Sequence, residues 1–118
     1  MKNSFFNLSG EIKVELGDES FRMDMLIGLL SGIRKTGSIA EAAKETGISY
    51  SFAWRNIFRL NCRMGTPIVV PQRGGKGGGI SIVTEDGEKL LKQLESISNN
   101  FNRFLKNNVP EEHLRLSS

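Results

Sequence analysis

The segment from Ser38 to Ile57 constrains this chain most, because it holds two helices with almost nothing between them. Ser38-Ile39-Ala40-Glu41 has capping-box spacing, in which Ser38 accepts from the Glu41 amide and the Glu41 carboxylate reaches back to the Ser38 amide. The helix this opens, Ile39–Thr46, is short and alanine-rich, and Gly47 stands where a left-handed residue ends a helix. After only Gly47 and Ile48, Ser49 caps a second helix, Tyr50–Arg63. Ala43, Gly47, Ile48, Ala53 and Ile57 describe two helices packed closely enough to need alanine where they cross, joined by a three-residue turn. That spacing is a helix-turn-helix, and a generic αα-hairpin is its plain alternative.

Charge separates the two readings. The formal net charge is only +3, but between Arg34 and Lys76 eight cations face Glu41 and Glu45 alone, a net of +6. The rest of the chain sums to −3. A basic middle between neutral or acidic ends is the footprint of a nucleic-acid surface. At 100° per residue the second helix divides into faces. Ala53, Trp54, Ile57, Leu60 and Met64 form the expected core side, and Ser51, Phe52, Arg55, Arg59 and Arg63 lie across the other. The first turn of such a helix reaches base edges, which selects Ser49, Tyr50, Ser51 and Arg55. Arg59 is expected on phosphate, with Ser38 at the N-terminus of the preceding helix.

The flanks complete the architecture. Glu11–Leu16 alternates as a short half-buried strand, closed by Gly17. Asp18 or Ser20 is expected to cap a helix through about Lys35, with Phe21, Met25, Leu26, Leu29, Leu30 and Ile33 on its buried face. Thr66–Gln72 and Ile80–Val83 read as paired strands around a tip with five glycines in six positions. There Arg73 and Lys76 supply charge, and Gly75 and Gly77 let backbone amides approach an anion closely. A phosphate-binding P-loop fails on spacing, since Val70 and Gly77 stand where it needs Gly and Ser or Thr. Thr84 caps a last helix, Glu85–Lys106, about 33 Å long. Leu90, Leu94, Ile97, Phe101 and Phe104 repeat at 4,3,4,3 spacing along it, a face suited to a second copy of the chain.

These elements give a mainly α chain with a small β-hairpin (α+β): a winged helix-turn-helix with a long C-terminal dimerisation helix. The expected organisation is an N-terminal arm (1–10), the winged helix-turn-helix (11–83), the dimerisation helix (84–106) and a polar tail (107–118). One histidine, His113, and one cysteine, Cys62, supply neither a metal set nor a nucleophilic triad, so no enzyme, metal or cofactor is expected. The single cysteine fits a reducing compartment, Met1–Gly10 has no apolar signal core, and no run approaches the about 20 apolar residues of a membrane span. A cytoplasmic protein is the expectation.

The stretch from Gly37 to Gly87 resembles the N-terminal winged-helix domain of the molybdate-responsive ModE regulators. The residues that carry this are Gly37-Ser38-Ile39, Ala42, Gly47-Ile48-Ser49-Tyr50 with Ala53-Trp54, the wing Gly74-Gly75-Lys76-Gly77-Gly78-Gly79, and Thr84 with Gly87. The segment is similar, more distantly, to the DNA-binding domain of LysR-type regulators. The resemblance implies a homodimeric bacterial or archaeal transcription regulator that binds double-stranded DNA through helix Tyr50–Arg63 and the wing. Family members with an effector function carry molybdate-binding modules after the long helix, and this chain ends there. The implied protein is a member without those domains, either a stand-alone DNA-binding one, or one whose sensor is a separate effector-sensing protein, or one that senses by another route, and its link to molybdenum is one of analogy. Two alternatives stay open: an adaptor anchored by exposed Phe52 and Phe58, and direct binding of an oxyanion such as molybdate by the wing.

Overall fold

The structure, a computed structural model, describes residues 6–72 and 79–110. Its elements run β1 (Lys13–Leu16), β2 (Glu19–Arg22), α1 (Met23–Thr36), α2 (Ile39–Thr46), α3 (Tyr50–Met64), β3 (Val69–Gln72), β4 (Ile80–Val83) and α4 (Glu85–Asn107). Four helices and two antiparallel hairpins form the α+β arrangement of a winged helix-turn-helix, with a long C-terminal helix.

The first hairpin corrects the sequence reading. Neither Asp18 nor Ser20 caps a helix; Gly17 takes φ 63° and turns the chain, so that Glu19–Arg22 pairs with Lys13–Leu16. Val14 lies opposite Phe21, which is 2% exposed, and the strand direction continues until the Met23 N–H reaches Ile12 O at 2.9 Å. Phe21 fits the helical spacing of α1 but reaches the same core from a strand. α1 then starts from an extended Arg22 with no side-chain cap, so cross-strand pairing outweighs the local capping signal.

The core is built on α1. Leu26, Leu29, Leu30 and Ile33 are buried together with Ala42 and Ala43 of α2, Ala53, Ile57 and Leu60 of α3, Ile68 and Val69, and Leu91 and Leu94 of α4. Small residues set the α1–α2 crossing. A Cβ on Gly32 would stand 2.8 Å from the Ala42 Cβ, so the two backbones approach as closely as only glycine permits. At the start of α2, Ser38 Oγ accepts from the Glu41 N–H at 3.0 Å. The return half of the expected capping box is absent: the Ser38 N–H donates to Thr36 Oγ1 at 3.1 Å, and Glu41 lies beside Lys44 instead. At its end Gly47 adopts φ 80°, which lets the Ile48 N–H close onto Ala43 O at 3.0 Å. Ser49 then caps α3 by accepting from the Phe52 N–H at 3.1 Å.

The second hairpin, β3–β4, is shorter than Thr66–Gln72 suggested, because the chain before Val69 is bonded elsewhere. The Ile68 and Val69 N–H groups both donate to Asn61 Oδ1 of α3, at 2.7 and 3.3 Å, and Asn61 Nδ2 donates to Val69 O at 2.9 Å. On its other side the hairpin is tied to α4 by Thr84, whose N–H donates to Ile68 O at 2.9 Å and whose hydroxyl accepts from the Gly87 N–H at 3.0 Å. α4 buries only its beginning: Gly87, Leu91 and Leu94 are enclosed, and among the described residues none after Leu94 is. Its distal half carries residues 7–10 alongside, with a groove between Leu8, Ser9, Gly10 and Asn102, Leu105, Val109. Among the described residues no helix is long and apolar enough to cross a membrane.

Candidate nucleic-acid interface

The outer side of α3 begins with groups free to make contacts. Tyr50 is 56% exposed, and Ser51 and Arg55 are exposed beside it. The hydroxyls of Ser38 and Ser49 are engaged as helix caps, and Ser51 Oγ lies 3.5 Å from Ser49 Oγ. The Arg55 guanidinium lies 6.0 Å from the centroid of Phe52 and, among the described residues, has no carboxylate within ion-pair distance.

The other two arginines of α3 depart from the sequence reading. Arg59 is not offered outward; Nε is paired with the Glu19 carboxylate, Nη1 donates to Asn56 Oδ1 at 3.2 Å, and the guanidinium packs 4.8 Å over the Phe21 ring. Arg63 reaches Asp18 at 2.8 Å and Glu19 at 3.4 Å. Both are claimed by the β1–β2 hairpin, which a helical reading of residues 18–22 hides. Arg34, Lys35 and Lys44 are similarly paired, with Glu88, Glu45 and Glu41. Among the described residues, five of the six cations of the basic segment therefore have a carboxylate within 4.0 Å, and Arg55 has none. The wing-tip candidates Arg73, Gly75, Lys76 and Gly77 lie outside the described residues.

Trp54 is a second correction. Expected in the core, it is 50% exposed and stacks on Phe58, itself 55% exposed, with ring centroids 5.7 Å apart and planes 6° from parallel. The reason is angular: Trp54 lies 100° round the helix from Ala53, and the inner position on the far flank goes to Asn56. That asparagine is 2% exposed and satisfied by donating to Phe52 O at 2.8 Å. Trp54, Tyr50 and Phe58 form one wall of a groove of about 430 Å³, whose opposite wall is Val69, Val70 and Pro71 of β3.

Comparison with known proteins bears on this geometry. The chain is 41% identical over 71 residues to the molybdenum-pterin-binding protein MopB of Rhodobacter capsulatus, a match covering 60% of this chain and 26% of MopB. It is 36% identical over 87 residues to the DNA-binding transcriptional dual regulator ModE of Escherichia coli K12, covering 74% of this chain and 33% of that protein. The chain is a ModE and Mop homologue. The molybdenum transport protein ModE of Azotobacter vinelandii is a further relative, 35% identical over 74 residues, or 63% of this chain and 27% of that protein. This ModE homologue thus spans about a quarter to a third of the length of the curated relatives it matches. No protein-family model matches it. The crystal structure of a LysR-family transcriptional regulator superimposes with a TM-score of 0.52 at 22% identity, over 66% of this chain and 25% of that one, a likeness of fold.

The residues expected to pair two copies divide into two groups. Leu94, 4% exposed, belongs to the homologue's own core, and Leu90 packs against that core, so neither forms a free face. α1 meets α4 at this level and takes up the apolar stripe. Ile97 is 47% exposed and Phe104 60%, while Phe101 is half-buried, close enough to Gly10 that an added Cβ there would stand 2.9 Å from its ring. Sequence reasoning missed Glu19, Asn56 and Asn61. Asn56 and Asn61 each left a signal, a polar residue on the inner flank of an amphipathic helix, whereas Glu19 left none. Among the described residues no cluster of His, Cys, Asp or Glu is placed to hold a metal ion.

Proposed function

We propose that this chain is a sequence-specific double-stranded DNA-binding transcriptional regulator that acts as a homodimer. The observation that carries this is the first half of α3: after a three-residue turn it presents Ser49, Tyr50, Ser51 and an Arg55 with no acidic partner among the described residues. That is where a second helix of this kind enters the major groove, and an arginine there is suited to a bidentate contact with guanine. The wing stands beside α3, bonded to it through Asn61, so helix and wing present one surface. The relatives' names support regulation and a connection with molybdenum. The exposed Ile97 and Phe104 on distal α4 support pairing of two copies, which sets half-sites about 34–36 Å apart.

The test is fluorescence anisotropy with the DNA upstream of the protein's own gene and a scrambled duplex, at about 50 and 200 mM salt. Preferential binding to the upstream duplex, weakened by salt, is expected. Equal, weak binding to both overturns the reading.

A further inference from the structure

Tyr50, Trp54 and Phe58 recur at i, i+4 and i+8, so they form one continuous aromatic stripe along the wing-side flank of α3. Each is half exposed or more, at 56, 50 and 55%. Core packing does not account for them. The Trp54–Phe58 stack fixes the stripe as a flat apolar wall, and among the described residues no charged side chain lines the groove beside it. The cation adjoining the stripe on the outer face is Arg55, without an acidic partner among the described residues.

We propose that this stripe reads the 5-methyl groups of thymine in the major groove, making Trp54 and Phe58 specificity-determining residues; the inference rests on the DNA-binding reading. Three features favour DNA over a peptide as the occupant. The stripe lies on the second helix of a helix-turn-helix and starts in its first turn, the part that reaches base edges. The groove continues onto the wing strand Val69–Gln72, so whatever lies along α3 touches both. The adjoining charge is positive, complementary to phosphate. In the major groove, thymine's methyl is the apolar group that distinguishes A·T from the other pairs, and side-chain carbon is what meets it. The other α3 arginines are taken up by Asp18 and Glu19, so apolar contact carries a larger share of recognition here than charge does.

The experiment selects duplexes from a randomised library with the full chain, then replaces the thymines of the selected site by deoxyuridine one at a time. Burying one methyl corresponds to about a four-fold change in affinity. Loss of about four-fold at one or two positions is expected, with Trp54→Ala and Phe58→Ala weakening the thymine duplex and no longer distinguishing the two bases. If the wild-type chain binds a selected site equally with thymine and uracil, the inference is overturned while DNA binding stands, and the stripe is left to a protein partner. If selection enriches no sequence, the DNA-binding reading itself fails. The wild-type comparison decides the matter even if an alanine variant does not fold.

Discussion

Gly87 sits in the first turn of α4 against the base of the wing, and replacing it by alanine sets two known effects against each other. Alanine is favoured over glycine inside a helix by about 1 kcal/mol. The added Cβ, however, would overlap the Ile68 carbonyl oxygen and stand 2.6 Å from Val83 Cγ1. Carbon atoms in contact prefer about 3.5–4.0 Å. Ile68 is fully buried, and its carbonyl already accepts from the Thr84 N–H at 2.9 Å and the Thr84 hydroxyl at 3.2 Å. Relief requires moving backbone, at about 1–3 kcal/mol for overpacking and about 0.5–1.5 kcal/mol for a weakened hydrogen bond. Gly87→Ala is therefore expected to destabilise the fold by about 1–3 kcal/mol net. Thermal unfolding followed by circular dichroism should show Tm lower by about 4–12 °C. An unchanged or raised Tm would mean that helix propensity wins and that α4 and the wing are not held in this close contact.

Four further perturbations probe the site. Asn61→Ala removes the acceptor of the Ile68 and Val69 N–H groups, so the urea midpoint should fall by an amount corresponding to about 2–3 kcal/mol; an unchanged midpoint would show the wing to be held by other contacts. Glu19→Gln takes from Arg59 its carboxylate partner and leaves Arg63 with Asp18, so stability should drop while affinity for a scrambled duplex rises and the salt slope steepens by about 1; a slope equal to wild type would make Arg59 purely structural. Arg55→Ala is expected to lower discrimination between selected and scrambled duplexes by about 1–3 kcal/mol, and uniform losses on all sequences would remove its assigned role. Phe104→Glu on distal α4 should shift sedimentation from dimer to monomer, a result excluded if the wild-type chain is already monomeric.

Local chemistry determined much of this fold from the sequence alone. Ser38, Ser49 and Thr84 each cap the helix they precede, and Gly47 ends α2, because a hydroxyl or a missing Cβ acts within one turn of chain. The helix-turn-helix, Ile80–Val83 and α4 were legible for that reason. What needed the tertiary structure were choices between equally satisfied local patterns. Asp18-Glu19-Ser20 reads as a helix start until Val14 is set opposite Phe21. Arg59 and Arg63 read as free cations until that hairpin brings Glu19, 40 and 44 residues away in sequence, to meet them. Trp54 and Asn56 flank the same inner face at helical spacing, and only the neighbours show that the asparagine has a backbone acceptor at 2.8 Å while the tryptophan has an open groove. Sequence periodicity gives the angle of a side chain about its helix. Which flank is covered, and which charge is cancelled, is decided by elements distant in the chain.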